Sequence, residues 1–170
     1  MPQIVNTEGL FNLTVTKTKG IYVIPVKDVV NCLFESYFRL NTLEGIGPVE
    51  MDKCLCIAHT GEAWLQTTGS LQKNYTFAET LENGTSLYIP KPENEREAFF
   101  LTEDEVQRQG LDSRAPLYIV GAWGEEINGV KNLQRIEVGD PILRNKDEHS
   151  DQWRVTLKLF NGTYNIKTTE

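Results

Sequence analysis

The chain has 170 residues and a formal net charge of −7, which allows one domain with a real core. Its 39% apolar and 24% charged residues are an ordinary globular composition, and no apolar run approaches the roughly 20 residues that span a bilayer. Acidity without a basic cluster argues against general nucleic-acid binding, whose affinity comes from neutralising phosphates.

The first residues, "MPQIVNTEGLFNLTVTK", lack the basic start and apolar stretch of a secretory signal. The stretch "NLTVTKTKGIYVIPV" alternates. A turn at Lys19-Gly20 would place Leu13, Val15, Ile24 and Val26 on one side, and Pro25, which lacks an amide proton, suggests an edge strand. "DVVNCLFESYFRLN" predicts an amphipathic helix over about 28–41, with Asp28 as its N-cap. A glycine-rich break at Gly45-Ile46-Gly47-Pro48 precedes the strands "KCLCIAH" and "AWLQTT", joined by a hairpin turn at Thr60-Gly61. "NYTFAETL-ENGT-SLYIP" predicts a hairpin around Asn83-Gly84. Pro90 to Arg96 reads as a polar loop.

"LTEDEVQRQG" predicts a short helix over about 103–109. Thr102 caps it, Glu105 completes a capping box and Gly110 ends it. "APLYIVGAWG" is apolar on both faces, as a central strand would be. "LQRIEVGDPILR" gives two short strands around Gly139-Asp140. The C-terminal "QWRVTLKLFNGTYNIKT" predicts a hairpin with Asn161-Gly162 at its turn. Trp153, Val155, Leu157, Leu159, Tyr164 and Ile166 then share one face, and Arg154, Lys158 and Lys167 the other. The expected class is α+β, mainly antiparallel hairpins with one amphipathic helix and one short one. The expected organisation is a single β-rich domain over 1–170, with a C-terminal β subdomain at 134–170.

Chemistry-bearing residues are few. Cys54, Cys56 and His59 come closest to a metal or nucleophile pattern, but period two puts the thiols on one face of a strand and the imidazole on the other. No second ligand pair has zinc spacing, and cysteine is among the residue types most often buried, so the preferred reading is a filled core. Three cysteines make no disulfide framework and point to a reducing compartment, cytoplasm or virion. No phosphate-binding glycine motif, serine elbow or EF-hand spacing is present. Neither a metal nor a cofactor is expected.

Gly139-Asp140, Trp153, Phe160 and Tyr164 follow a pattern in which a Gly-Asp pair opens a strand and an aromatic-rich strand ends in Phe and Tyr. Over about 136–168 the chain resembles a small β module of uncharacterised bacteriophage and mobile-element proteins, departing from it by an extra loop at Asn145 to Asp151. The resemblance implies a phage-like or plasmid-like origin and no activity.

The sequence therefore leads to a non-enzymatic interaction or structural protein, such as a bacteriophage virion or accessory component. Its partners would be other protein subunits, copies of itself included, with no membrane and no general nucleic-acid binding. The contact elements would be the loops Pro90 to Arg96 and Asn145 to Asp151, and the basic residues Arg154, Lys158 and Lys167. Two alternatives stand beside this. One is an acidic inhibitor or immunity-type protein that covers a basic partner with Glu93, Glu95, Glu97, Glu103 and Asp104. The other is a small enzyme with a carboxylate site at Trp123–Glu126.

Overall fold

A computed structural model describes residues 1–33, 39–42, 45–48 and 50–167. In chain order the elements are β1 Gln3–Ile4, β2 Leu13–Lys17, β3 Ile21–Pro25, α1 Val26–Leu33, β4 Arg39–Thr42, β5 Gly45–Pro48, β6 Lys53–Ala58 and β7 Ala63–Thr67. Then come α2 Thr68–Asn74, β8 Tyr75–Thr80, β9 Ser86–Pro90, β10 Glu95–Phe100, α3 Glu103–Arg108, β11 Leu117–Ile127 and β12 Val130–Ile136. The chain closes with β13 Pro141–Asn145, β14 Gln152–Arg154, α4 Leu157–Thr163 and β15 Tyr164–Ile166. The architecture is α+β, mostly antiparallel sheet with short helices. No helix among the described residues is long and apolar enough to cross a membrane.

The chain divides into two compact units. Met1–Thr16, Gly45 and the described residues from Glu95 onward build one, and the described residues of Lys17–Thr42 and Ile46–Asn94 build the other. The expected subdomain boundary at 134 is not a unit boundary, because β13 lies between β14 and β10 in one sheet.

The first unit holds a three-stranded sheet, β1-β11-β12, and a five-stranded sheet, β14-β13-β10-β2-β15. Val5, Leu117, Ile119 and Ile136 from the first meet Phe99 and Ile142 from the second, with Leu101 and Val106 alongside, in one buried cluster. Helix α3 is anchored into that cluster by Val106. Thr102 Oγ1 accepts from the Glu105 amide at 3.2 Å, as a capping residue should. The rest of the capping box is not formed, because the Glu105 carboxylate turns instead to Arg108 and Gln109. Gly110, at φ +71°, ends the helix. Its N–H donates to the Gln107 carbonyl and Leu111 N–H to the Val106 carbonyl, the paired bonds of a Schellman end.

The second unit holds the sheet β7-β6-β3-β9-β8. Its hairpin turns are the expected ones. At Thr60-Gly61 and again at Asn83-Gly84 the closing residue's N–H reaches across the loop: Ala58 to the Glu62 carbonyl at 2.8 Å, and Leu81 to the Thr85 carbonyl at 2.7 Å. Glycine takes the positive-φ position in both, at +92° for Gly61 and +82° for Gly84.

Several expectations are corrected. Lys19-Gly20 is not a hairpin turn. β2 pairs with β10 in one sheet, whereas β3 pairs with β6 and β9 in another. β3 is central, not an edge. Pro25 is tolerated because β9 pairs only with Ile21–Val23 and leaves the far end of β3 open on that side. The helix expected over 28–41 begins at Val26, directly after Pro25, so Asp28 lies in its first turn instead of at its cap. It is described to Leu33, residues 34–38 fall outside the described residues, and Arg39–Thr42 pair with Gly45–Pro48 as β4 and β5. The glycine-rich break is therefore a strand. β11 is central in its sheet but buried on one face only, since Leu117, Ile119 and Gly121 are covered while Val120 and Ala122 are exposed.

The largest correction is at the C-terminus. The hairpin over 152–167 is absent, and Asn161-Gly162 sits inside α4. Thr156 Oγ1 accepts from the Leu159 amide at 3.1 Å and starts a helix there. Leu159, Phe160 and Thr163 then fall on one helical face and are buried, while Leu157 is exposed. Phe160 stacks against Tyr164 at 5.6 Å.

Candidate functional site: an arm that carries an exposed tryptophan

The residues singled out by charge do not gather. Glu93 is exposed in the loop 91–94, Glu95 and Glu97 stand on β10, and Glu103 and Asp104 open α3. The polar loop expected over Pro90 to Arg96 is shorter, because Glu95 and Arg96 already pair with β2. The strand also brings its acids against cations. Glu97 accepts from Arg144 at 2.7 Å, and His149 lies 4.0 Å away. Glu95 accepts from Lys146 at 2.9 Å and from Lys167. Those two lysines hold the Glu95 carboxyl well below its ordinary range, at about 2, with the Lys167 hydrogen bond the larger cause. Glu103 accepts from Ser113 at 2.8 Å.

The basic trio is dispersed as well. With no hairpin to carry them, Arg154 lies on β14, Lys158 is exposed on α4 and Lys167 follows β15. Arg154 Nε is 2.8 Å from Asp140 Oδ2. Burial pushes the Asp140 carboxyl up, against the pull of the Glu137 amide and of Arg154.

Cys54 and Cys56 are buried on the inner face of β6, and His59 is exposed beyond its end. Across the strand from them stand Gln66 and Trp64. Burial, with Cys54 alongside, pushes the Cys56 thiol up to about 12 although Lys17 pulls the other way, so it stays protonated and is a poor nucleophile. Its Sγ lies 3.9 Å from Gln66 Oε1, which also accepts from Trp64 Nε1 at 3.1 Å. Lys17 Nζ is 2.5 Å from Tyr75 Oη and 4.7 Å above the Trp64 ring. These groups form a packed polar seam at the border of the core. Among the described residues no three His, Cys, Asp or Glu side chains are placed to hold a metal.

The distinctive surface is on β11 and β12. Their register runs from Leu117↔Ile136 to Val120↔Leu133, and then Glu125 faces Leu133 as well. Gly121 to Gly124 have no partner residue and form a bulge. The two strands close at Asn128-Gly129, with φ +51° and +81°, the pair of positive values that a two-residue hairpin turn needs. Both glycines of the bulge are required. A methyl at Gly121 would lie 2.4 Å from Gln134 Nε2 and 2.7 Å from the Gln152 carbonyl. At Gly124, φ is +153° and a methyl would lie 2.6 Å from the Leu133 carbonyl.

Glutamines support the bulge from inside. Gln134 is wholly buried, and its Nε2 donates to the Trp123 carbonyl at 3.0 Å. Gln152 Nε2 donates to the Val120 carbonyl at 2.7 Å, and its Oε1 accepts from Thr7 Oγ1 at 2.8 Å. The outer side is open: Trp123 is 43% exposed and Val120 41%. Glu125 and Glu126 are exposed, so the carboxylates of the proposed enzyme site sit in solvent.

Sequence reasoning singled out Trp123, Glu125 and Glu126 but missed Gly121, Gly124, Gln134, Gln152 and the turn at Asn128-Gly129. Two glycines three apart inside an apolar strand were the available signal, since glycine in a strand interior marks a bulge or a close approach. No family model, curated protein or solved structure matches this chain.

Proposed function

We propose that this chain is a non-enzymatic interaction protein and that it meets its partner through the β11–β12 arm. The setting we propose is an assembly of protein subunits, of the bacteriophage virion or accessory kind that residues 136–168 resemble. The observation that carries the reading is Trp123, a large aromatic side chain left 43% exposed on a bulge whose backbone is held by hydrogen bonds from two buried glutamines. Tryptophan is the residue type most enriched among binding hot spots. An anchor already held in place loses little freedom when a partner covers it.

The inhibitor alternative has less support. Glu95 and Glu97 are engaged by Lys146, Lys167 and Arg144, so a basic partner would have to displace cations the chain already supplies. The enzyme alternative also has less, because Glu125 and Glu126 are exposed, whereas a catalytic site is a cleft that encloses its reacting groups.

The test is photo-crosslinking in the cells that make the protein, with a benzophenone amino acid in place of Trp123 and, as control, in place of Glu82 in the β8–β9 turn. A discrete adduct from position 123 and none from 82 is the expected result. Equal labelling from both positions, or none from 123, rules the arm out. Light scattering on the purified chain then tells whether the adduct is a second copy or another protein.

A further inference from the structure

We infer that Gln134 is the positioning residue of the arm, holding Trp123 in place through its side-chain amide. The inference rests on the reading of the arm as the contact element. Trp123 lies in the bulge, so no residue of β12 faces it in the ladder. What it has instead is the Gln134 amide, which donates to its carbonyl at 3.0 Å. The other end of that amide is committed too, because Gln134 Oε1 accepts from the Arg154 N–H at 3.1 Å. One side chain on β12 thus ties the bulge of β11 to the first residues after the loop at 146–151, on β14. Gln134 is fully buried, and a buried amide left without partners costs about 1–3 kcal/mol, so the side chain is confined to the orientation that satisfies both ends.

The glycine at 121 makes the arrangement possible. Any side chain there would occupy the space of the Gln134 amide and of the Gln152 carbonyl. Gln152 holds the preceding residue, Val120, and is itself held by Thr7. Gln152 therefore secures the base of the bulge, and Gln134 secures the residue that makes contact.

The experiment uses the full chain with its three tryptophans replaced by 5-fluorotryptophan and followed by 19F NMR, Trp123 being assigned from Trp123→Phe. Two variants remove the donor differently. Gln134→Met keeps the volume and removes every hydrogen bond of the side-chain amide, to the Trp123 and Gln152 carbonyls and from the Arg154 N–H. Gln134→Leu removes the same hydrogen bonds with a shorter, branched side chain. In both, the Trp123 line should narrow by about two-fold as the ring gains independent motion, while the Trp64 and Trp153 lines stay in place. The crosslinking yield from position 123 should fall several-fold in the same variants.

An unchanged Trp123 line in two folded variants overturns the inference and leaves the arm as the contact element. Simultaneous loss of dispersion at all three tryptophans overturns it as well, since Gln134 would then serve the whole fold. A sharpened Trp123 line in a chain whose wild type never crosslinks at 123 keeps Gln134 as the positioning residue and removes the arm's partner.

Discussion

Strand β10 and the β11–β12 arm belong to the same unit and dispose of their side chains in opposite ways. On β10, Glu95 and Glu97 are half-buried and each is met by cations from other segments: Arg144 on β13, Lys146 in the following loop and Lys167 after β15. Arg144 is further committed, with its guanidinium 4.1 Å from the Phe11 ring. On the arm the buried polar groups are satisfied from inside and the large apolar side chain is left outside. The charged strand turns its acids toward cations of its own chain, whereas the arm spends its hydrogen bonds on holding an exposed side chain still. Acidic residues counted along a chain do not identify a docking face until their internal partners are known.

Four measurements break or sharpen this contrast. The largest effect is expected at Gly124→Ala, which places a methyl 2.6 Å from the Leu133 carbonyl at a φ of +153°. Strain and displacement together should lower stability by about 3 kcal/mol in urea unfolding, against about 1 kcal/mol for Gly61→Ala, where φ is positive but the space is open. On the other side of the contrast, Arg144→Met leaves Glu97 mostly covered without its hydrogen-bonding cation. A loss of about 2 kcal/mol is expected, and a loss within error would show that β10 is held by its apolar contacts alone.

The third measurement is the response to acid. Lys167 and Lys146 lower the Glu95 pKa from 4.5 to about 2, so its contribution is fully present above 4.5 and is lost as the pH falls through that window. The protection factor of the Lys167 amide, whose N–H donates to the Thr14 carbonyl, should fall between those two pH values in the wild type. In Glu95→Gln it should be lower at neutral pH and indifferent to the same acid step. The smallest effect on stability is expected at Trp123→Ala, below about 1 kcal/mol, because the residue is exposed and has no facing partner in the ladder. A loss well beyond that would mean that Trp123 is a core residue of the arm and no anchor.

What the sequence could convey depended on whether a local signal had a competitor. Thr60-Gly61 and Asn83-Gly84 each lie between two consecutive strands, and both turns form. Asn161-Gly162 carries the same turn chemistry, yet Thr156 three residues before Leu159 supplies a helix cap, and Leu159, Phe160 and Thr163 fit a helical face as well as a strand one. The alternation from Trp153 to Ile166 therefore satisfied two periods at once, and burial of Leu159 and Phe160 decided for the helix. At Asn128-Gly129 the converse holds. Glu125 and Glu126 interrupt the apolar alternation, so a true two-residue hairpin turn passed unread. The glutamines were the least legible part of the site. Gln134 and Gln152 look like surface residues in one dimension, and only the missing side chain at Gly121 gives them room.

The way the first unit draws on distant parts of the chain bears on how the protein is made. Strand β2 emerges from the ribosome early, and its neighbour β10 follows only after nearly the whole second unit has been synthesised. Lys17–Asn94 are free to collapse as a local piece while β2 waits with its ladder groups open. Closure of that long-range pair is then the expected slow step of folding, and the interval before β10 arrives is the one in which the open ladder groups invite aggregation.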